Sequence, residues 1–239
     1  MTEPLAALHH GPEVVDADLT DADADEVRDA LGRGGPWVLR RCRLTELDLS
    51  GVDLTGAALE RCELSSTRLR GAVLDGASVE GGSLASADLA DADLTDAVLT
   101  GVDLSRARLV GARLTETAFR DCRMIGADLT GMRTLAVTFT VDGCSLALAR
   151  LTDGALRGWR LTRVDLTDAD LSGADLRDTV LTDCSLRGTD LTHARLDGAD
   201  LRGADLGEIT ADTPAVLRGA IVSTDQAADV CRALGLQVL

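Results

Sequence analysis

Residues 165–181 read DLTDADLSGADLRDTVL and place Leu166, Leu171, Leu176 and Leu181 five residues apart. On an α-helix a step of five residues turns through about 140°, so these leucines would be scattered around the cylinder. In a β-strand the same step would send alternate leucines to opposite faces. The spacing therefore excludes both regular elements and indicates a repeat architecture.

The five-residue ladder covers most of the chain. Leucine or an apolar substitute occupies nearly every fifth position from Leu44 to Phe139, which makes 20 pentads, and a second phase of 13 pentads runs from Leu146 to Leu206. The step from Phe139 to Leu146 is seven residues, which is five plus two. We therefore expect a two-residue insertion, and with it a register shift, near Asp142 and Gly143.

The residue two places before each leucine is small, as in Ala169, Ala174 and Ala199. If the chain bends by a quarter-turn every five residues, four pentads close a square coil with the leucines inside and the small residues in the tight places beside them. The other three positions are rich in Asp, Arg, Thr, Ser and Gly, which suit an exposed surface and turns. The pattern predicts an all-β solenoid of about eight coils.

Written as ADLTD, ADLSG, ADLRG and VDLTG, the repeat resembles the pentapeptide-repeat family over roughly residues 42–207. The resemblance implies the right-handed quadrilateral β-helix of that family, a fold that the square-coil geometry reaches independently. Because the open ends of a solenoid expose apolar surface and strand edges, we expect short helical caps at the N- and C-termini.

Two segments outside the ladder have the pattern of such caps. TDADADEVRDAL, residues 20–31, predicts a helix with Thr20 or Asp21 as its N-cap and Gly32 as its stop. TDQAADVCRALG, from Thr224, predicts a second helix. Its apolar stripe either closes the last coil or meets another chain, and the family resemblance implies a homodimer through the residues Ala227, Val230, Cys231, Leu234 and Leu236.

These features divide the chain into five expected segments. They are an acidic N-terminal tail and capping helix at 1–36, a first β-helix block at 37–141, a register-shifting insertion at 142–145, a second β-helix block at 146–210, and a C-terminal cap and dimerisation helix at 211–239.

The net charge of −16 is localised, with nine acids and one Arg in residues 1–31 and twelve acids and four Arg in residues 165–212. Residues 20 apart should stack on one face, so the first block places Asp and Arg alternately in a column from Asp48 to Asp128 as an exposed ion-pair ladder. The second block breaks this alternation. We interpret its acids as a face for a basic partner, with ordinary solubility charge as the alternative; they are Asp165, Asp168, Asp170, Asp190, Asp205 and Glu208.

An acidic rod suits a groove built for DNA, because duplex DNA carries one negative charge per about 1.7 Å of its axis. The chain resembles the quinolone-resistance and antibiotic self-protection members of the family, which mimic DNA and bind DNA gyrase or topoisomerase IV. This resemblance implies a non-enzymatic DNA mimic that shields the topoisomerase from inhibitors, in antibiotic resistance or self-immunity. A structural scaffold or adaptor for another protein is the alternative, and the charge has the wrong sign for direct nucleic-acid binding.

The ladder is irregular around the insertion. Met132 enlarges a small slot, and Trp159 occupies another that is too narrow for an indole in an unperturbed coil. Either the backbone bulges or Trp159 packs across the displaced segment. Together with Asp142 and Gly143, these residues mark a kink or loop presented to a partner. The alternative is sequence variation that the repeat tolerates and that has no function.

Nothing in the sequence predicts a cofactor, a metal or a catalytic centre. His9, His10 and His193 form no catalytic group, and there is no CxxC pair for zinc. There is no apolar run long enough to span a membrane and no signal peptide, so we expect a cytoplasmic protein. Five cysteines occupy the small slot as compact apolar filler, namely Cys42, Cys62, Cys122, Cys144 and Cys184.

Overall fold

The chain forms a β-helix with four faces. The structure, a computed structural model, describes Leu8 and residues 11–33, 35–134, 139–210 and 212–238. One face is a parallel nine-stranded sheet in sequential order, with one strand from each coil. The strands are β1 Glu13–Val15, β2 Val38–Arg40, β3 Ala58–Glu60, β4 Ser78–Glu80, β5 Val98–Thr100, β6 Ala118–Arg120, β7 Thr140–Asp142, β8 Arg160–Thr162 and β9 Val180–Thr182.

The other three faces are held by single parallel bridges that repeat every 20 residues, such as Arg43↔Glu63, Asp48↔Arg68 and Asp53↔Val73. Four pentads therefore make one coil, and the nine strands mark eight steps between coils. Nearly every ladder residue is buried, so leucines fill the interior. The prediction of an all-β quadrilateral helix of about eight coils is confirmed.

The corners of the square are made by the residue two places after each leucine. These residues adopt positive φ angles, for example +70° at Gly51, +59° at Ser66 and +56° at Asp168. Gly, Asp, Asn and Ser tolerate or suit such turns because of their small or locally hydrogen-bonding side chains. This backbone requirement explains the polar, glycine-rich composition of that position.

The solenoid begins earlier than the ladder suggested. β1 pairs with β2 at Glu13↔Val38, an offset of 25 residues, and the Leu19 amide donates to the Arg43 carbonyl. Leu19 is completely buried. Residues 13–19 therefore belong to the first coil, and the expectation that residues 1–36 form only a tail and a capping helix is wrong. His9 and His10 lie outside the described residues.

Three helices accompany the solenoid: α1 Ala24–Leu31, α2 Thr213–Val216 and α3 Thr224–Ala233. The N-cap of α1 is Asp23, whose carboxylate accepts from the backbone amides of Asp25 and Glu26 at 2.9 and 3.1 Å. The predicted caps Thr20 and Asp21 are wrong because the bridge from Asp18 to Arg43 holds the preceding chain in the first coil.

Within the described residues, no helix is long and apolar enough to cross a membrane.

The register shift lies upstream of the predicted 142–145. Arg113 bridges to Arg133 at an offset of 20, whereas Ala118 pairs with Thr140 at an offset of 22. The two extra residues therefore fall between Arg133 and Thr140, a stretch that includes residues 135–138, which lie outside the described part.

The misplacement came from Phe139, which keeps the five-residue phase by coincidence. In the structure Val141, and not Phe139, pairs with Phe119 in the central position of the pentad. Asp142 is the last residue of β7, and Gly143 is an ordinary corner with φ +65°.

Candidate functional site

The structure brings four of the predicted acidic residues onto two neighbouring faces of the second block, and Glu208 is exposed beyond the last bridge of its column. Asp165 and Asp205 lie in one bridge column, separated by Ser185, and Asp170 and Asp190 are direct neighbours in the next column. Asp168 is the corner residue between the two faces. The acidic face, as the name is used below, consists of Asp165, Asp168, Asp170, Asp190, Asp205 and Glu208.

Local hydrogen bonds orient the carboxylates of this face. Asp165 Oδ1 accepts from the Thr167 amide at 3.0 Å and from its hydroxyl at 2.6 Å. Asp170 Oδ1 accepts likewise from Ser172, and its Oδ2 accepts from the Thr152 hydroxyl at 2.9 Å. These bonds, with the Ser172 hydroxyl as the main cause, lower the pKa of Asp170 and favour its ionised form.

Charge neutralisation differs between the two blocks. In the first block the predicted Asp/Arg column is observed, with ion pairs Arg68–Asp48 at 3.6 Å and Arg108–Asp88 at 3.1 Å. The second block has fewer such pairs. Within the described residues, no ion pair involves Asp165, Asp168, Asp170, Asp190 or Glu208. Arg150 is the column neighbour of Asp170, and its charge also lowers the pKa of Asp170, but it forms no ion pair with that carboxylate. The acidic face therefore has fewer paired carboxylates than the Asp/Arg column of the first block.

Asp205 is the exception. Its Oδ2 accepts from Arg187 Nε at 2.5 Å, and its Oδ1 accepts from the Gly207 amide at 3.0 Å. The bond from Arg187 is the largest cause of the lowered pKa of Asp205. Asp205 is therefore paired, because Arg187, 18 positions away in the chain, reaches it from the preceding coil.

The irregular residues Met132 and Trp159 lie in the core. Trp159 is buried and stacks on Phe139, with ring centroids 4.1 Å apart, and Phe139 contacts Phe119 edge-on at 5.8 Å. The Trp159 amide donates to the Leu156 carbonyl, so the backbone turns there as in other pentads. An indole fits because the aromatic Phe139 occupies the corresponding slot one coil earlier.

These contacts decide between the two structural alternatives for Trp159. It packs across the displaced coil, and its own backbone does not bulge. Met132 and Trp159 are therefore core residues and do not present a loop. Asp142 and Gly143 are half-buried, and Asp142 pairs with Arg163 at 2.8 Å.

Helix α3 is bonded to the last coil by the side chain of Gln226. Gln226 forms a capping box with Ser223, and its Nε2 donates to the carbonyls of Leu201 and Ala204 at 2.9 and 2.8 Å. The apolar residues predicted for dimerisation stay largely uncovered in the single chain. Ala227 is exposed, Val230 and Cys231 are half-buried, and Leu234 and Leu236 are 50% and 57% exposed.

The five cysteines of the small slot are buried, whereas Cys231 is half-buried. Burial raises the pKa of the Cys184 thiol. In the part of the chain that the structure describes, no group of three or more His, Cys, Asp or Glu side chains is placed to hold a metal ion.

One unusual surface residue was missed in the sequence. Leu148 is a corner residue with φ +60°, and its side chain is 59% exposed. The available signal was a leucine at a pentad position that is otherwise mostly Gly or polar.

Comparisons with solved structures show the same fold in QnrB1, described as a plasmid-mediated fluoroquinolone resistance protein. A trypsin-treated variant of QnrB1 matches with 20% identity and a TM-score of 0.59, covering 96% of this chain and 98% of that one. The full-length form matches with 18% identity and a TM-score of 0.51, covering 95% and 98%. No curated protein sequence matches the chain.

A family model described as "Pentapeptide repeats (8 copies)" matches most of the solenoid and leaves out the stretch that holds the register shift. The matched residues are 38–76, 62–101, 83–115, 97–131, 144–183 and 169–207. These matches cover more than half of the 239 residues. The chain thus belongs to the pentapeptide-repeat family.

Proposed function

We propose that this protein is a non-enzymatic DNA mimic of the cytoplasm that binds a type II topoisomerase, DNA gyrase or topoisomerase IV, and protects it from inhibitors. The observation that carries the proposal is the acidic face, where Asp165, Asp168, Asp170 and Asp190 lack ion pairs among the described residues. The shared fold with QnrB1, a fluoroquinolone resistance protein, supports the choice of partner.

The geometry of the acidic face suits a groove that neutralises phosphates. Asp170 and Asp190 lie on adjacent coils, which are separated by about 4.8 Å as in any parallel sheet. Asp165 lies on the neighbouring face, and Asp168 lies at the corner between them. A basic groove would therefore meet negative charge on two sides of the rod.

We further propose that two copies associate through α3. Leu234, Leu236 and Val238 are 50%, 57% and 42% exposed, and they follow one another at the end of the chain. A second copy would remove this apolar surface from water. The second-block acids of both copies would then flank the interface, because residues 165–212 lie next to α3 in the chain.

The sharpest test of the acidic face uses the triple variant Asp165→Asn/Asp170→Asn/Asp190→Asn. An Asn side-chain oxygen can still accept from the amides of residues 167, 172 and 192, so the turns are kept while three charges are lost. We expect the variant to bind gyrase at least about tenfold more weakly, since three charge contacts with a basic groove are lost. It should also lose its effect on DNA supercoiling and on fluoroquinolone-induced cleavage.

The matched control is Asp53→Asn/Asp93→Asn/Asp103→Asn. It changes the net charge equally and alters the same type of turn, in which Thr55, Thr95 and Ser105 donate to the carboxylates. It also removes the ion pair of Asp93 with Arg113 at 2.7 Å, so it is the more demanding change for the fold. We expect it to bind like the wild type. Equal binding by both triple variants would contradict the assignment of the acidic face. No binding of the wild type to either topoisomerase would favour the scaffold or adaptor function.

A further inference from the structure

Leu148 differs from every comparable corner residue. Among the described residues, the other non-glycine residues with positive φ are all Asp, Glu, Arg, Ser or His. Every L-residue at a corner accepts the same close approach of Cβ to the following carbonyl oxygen; among the described corners with a side chain, Leu148 is the one whose side chain is apolar. At φ +60°, Leu148 holds a sterically unfavourable backbone and still exposes 59% of its side chain.

The stacking of the corner column leaves this leucine uncovered. The Gly126 amide donates to the Ala147 carbonyl at 2.8 Å, so a residue without a side chain lies one coil before Leu148. The Leu148 amide donates to the Thr167 carbonyl at 2.9 Å, which places Asp168 one coil after it. The Asp168 carboxylate turns away toward Gly188.

The surroundings of Leu148 combine apolar surface with the acidic face. Ile125 and Ala147, both half-buried, precede the corner on the adjacent face. On the other side, Asp168 belongs to the acidic face. Of the large apolar side chains that are exposed in the described chain, Leu148 is the one within the repeat ladder; the others lie in β1 and after residue 215.

We propose that Leu148 is an apolar anchor that inserts into a pocket beside the basic groove of the topoisomerase. This inference rests on the proposed function and identifies a contact of a different chemical kind at the edge of the same surface. The left-handed backbone is common to the corners of the coil, so Leu148 is distinguished by its exposed apolar side chain at a position that is otherwise glycine or polar. An aliphatic anchor in a pocket, surrounded by a polar or charged rim, is an established arrangement of protein interfaces.

The decisive variant is Leu148→Asn in the full-length protein. Asn suits the left-handed conformation, so the Tm should be equal to or higher than that of the wild type. Binding to purified gyrase should weaken about tenfold or more, the fold-change that corresponds to losing one buried leucine side chain. The loss should persist at high salt, whereas the loss caused by the Asp→Asn triple variant should shrink as salt screens the charges.

Two controls separate apolar contact from backbone effects. Leu148→Met keeps an apolar side chain on the strained corner and should bind within about threefold of the wild type. Ser86→Asn changes another positive-φ residue of the same corner column, three coils before Leu148, and should leave binding unchanged.

Unchanged binding by Leu148→Asn, with the wild type bound to gyrase, would overturn the anchor and leave the proposed function standing. A lower Tm of Leu148→Asn would assign Leu148 to packing of the fold and would also overturn it. If the wild type does not bind gyrase or topoisomerase IV, the proposed function and the anchor both fail.

Discussion

At the scale of single residues, the Asp–Leu–Ser/Thr triplet of the repeat is a hydrogen-bonded turn. Asp48 Oδ1 accepts from the Ser50 amide and hydroxyl, and Asp165 Oδ1 does the same with Thr167. The carboxylate thus satisfies a backbone donor next to the corner, as in other Asx turns. The second oxygen remains available to an arginine of a neighbouring coil or to a partner.

Asp175 shows how a change in this triplet affects acid stability. Arg177 replaces the hydroxyl residue, and its guanidinium donates to both carboxylate oxygens at 2.7 and 2.6 Å, which lowers the pKa of Asp175 from 3.8 to about 2. A lowered folded-state pKa contributes stability that is present above the ordinary pKa and is lost as the pH falls through the folded one. We expect the Tm difference between wild type and Asp175→Asn to disappear between about pH 4 and about pH 2.

Thermal unfolding followed by circular dichroism from about pH 6 to about pH 2 measures this difference. Arg177→Gln is the complementary variant, because it leaves the Asp175 carboxylate without its guanidinium partner. It should also remove the part of the Tm decrease that this pair causes as the pH falls. Parallel Tm curves for wild type and Asp175→Asn over this range would contradict the assignment.

At the scale of elements, the sequence predicted the repeat and both terminal helices, and failed where the period was interrupted. Leu19 and β1 were assigned to the N-terminal segment because α1 interrupts the ladder of leucines after Leu19, although the offset of 25 residues keeps the five-residue phase. The insertion was predicted too far downstream because Phe139 happens to fit the five-residue spacing. The spacing therefore did not reveal the two extra residues before it. Leu148 was overlooked because the leucine count followed the ladder position alone and passed over a leucine at a corner position.

The element that closes the last coil is α3, and Gln226 is its main polar contact. Gln226→Glu keeps the acceptor for the Ser223 amide but removes the donor to the carbonyls of Leu201 and Ala204. The Ala204 carbonyl loses its donor, and the Leu201 carbonyl keeps only the bond from the Ala204 amide. We therefore expect a loss of about 1–3 kcal/mol in the free energy of unfolding. Chemical denaturation measures it.

Gln226→Ala, which also removes the capping box, should cost more than the loss of the cap alone, for which about 1 kcal/mol is typical. A Gln226→Glu variant as stable as the wild type would show that α3 is held by its apolar contacts.

At the scale of the whole molecule, the acids are concentrated toward both ends of the chain, with a net charge of −8 in residues 1–31 and again in residues 165–212. The alternating ion pairs of the first block separate the two regions. Association through α3 would join the second regions of two copies into one continuous acidic centre. The oligomeric state therefore determines how the charge is presented.

We expect the wild type to be a dimer and Leu234→Asp/Leu236→Asp to be a monomer by light scattering, because two carboxylates would be desolvated in the interface. Labelling of Cys231 by a thiol reagent gives a second readout, since the other five cysteines are buried. Its rate should fall as the protein concentration rises through the dimerisation range. A labelling rate independent of concentration, together with a monomeric wild type, would exclude this interface.

The Asp–Leu–Ser/Thr turn has a consequence for how such proteins arise. A chain that extends this coil by duplicating ADLTD-type pentads adds an acid with each copy, because the turn uses a carboxylate as its acceptor. Anionic character is then inherited with the architecture, before any ligand selects for it. A surface that is already acidic can come to imitate a nucleic acid by the loss of arginines alone. The Asp88–Arg108 pair of the first block and the neighbouring Asp170 and Asp190 of the second block illustrate the two states.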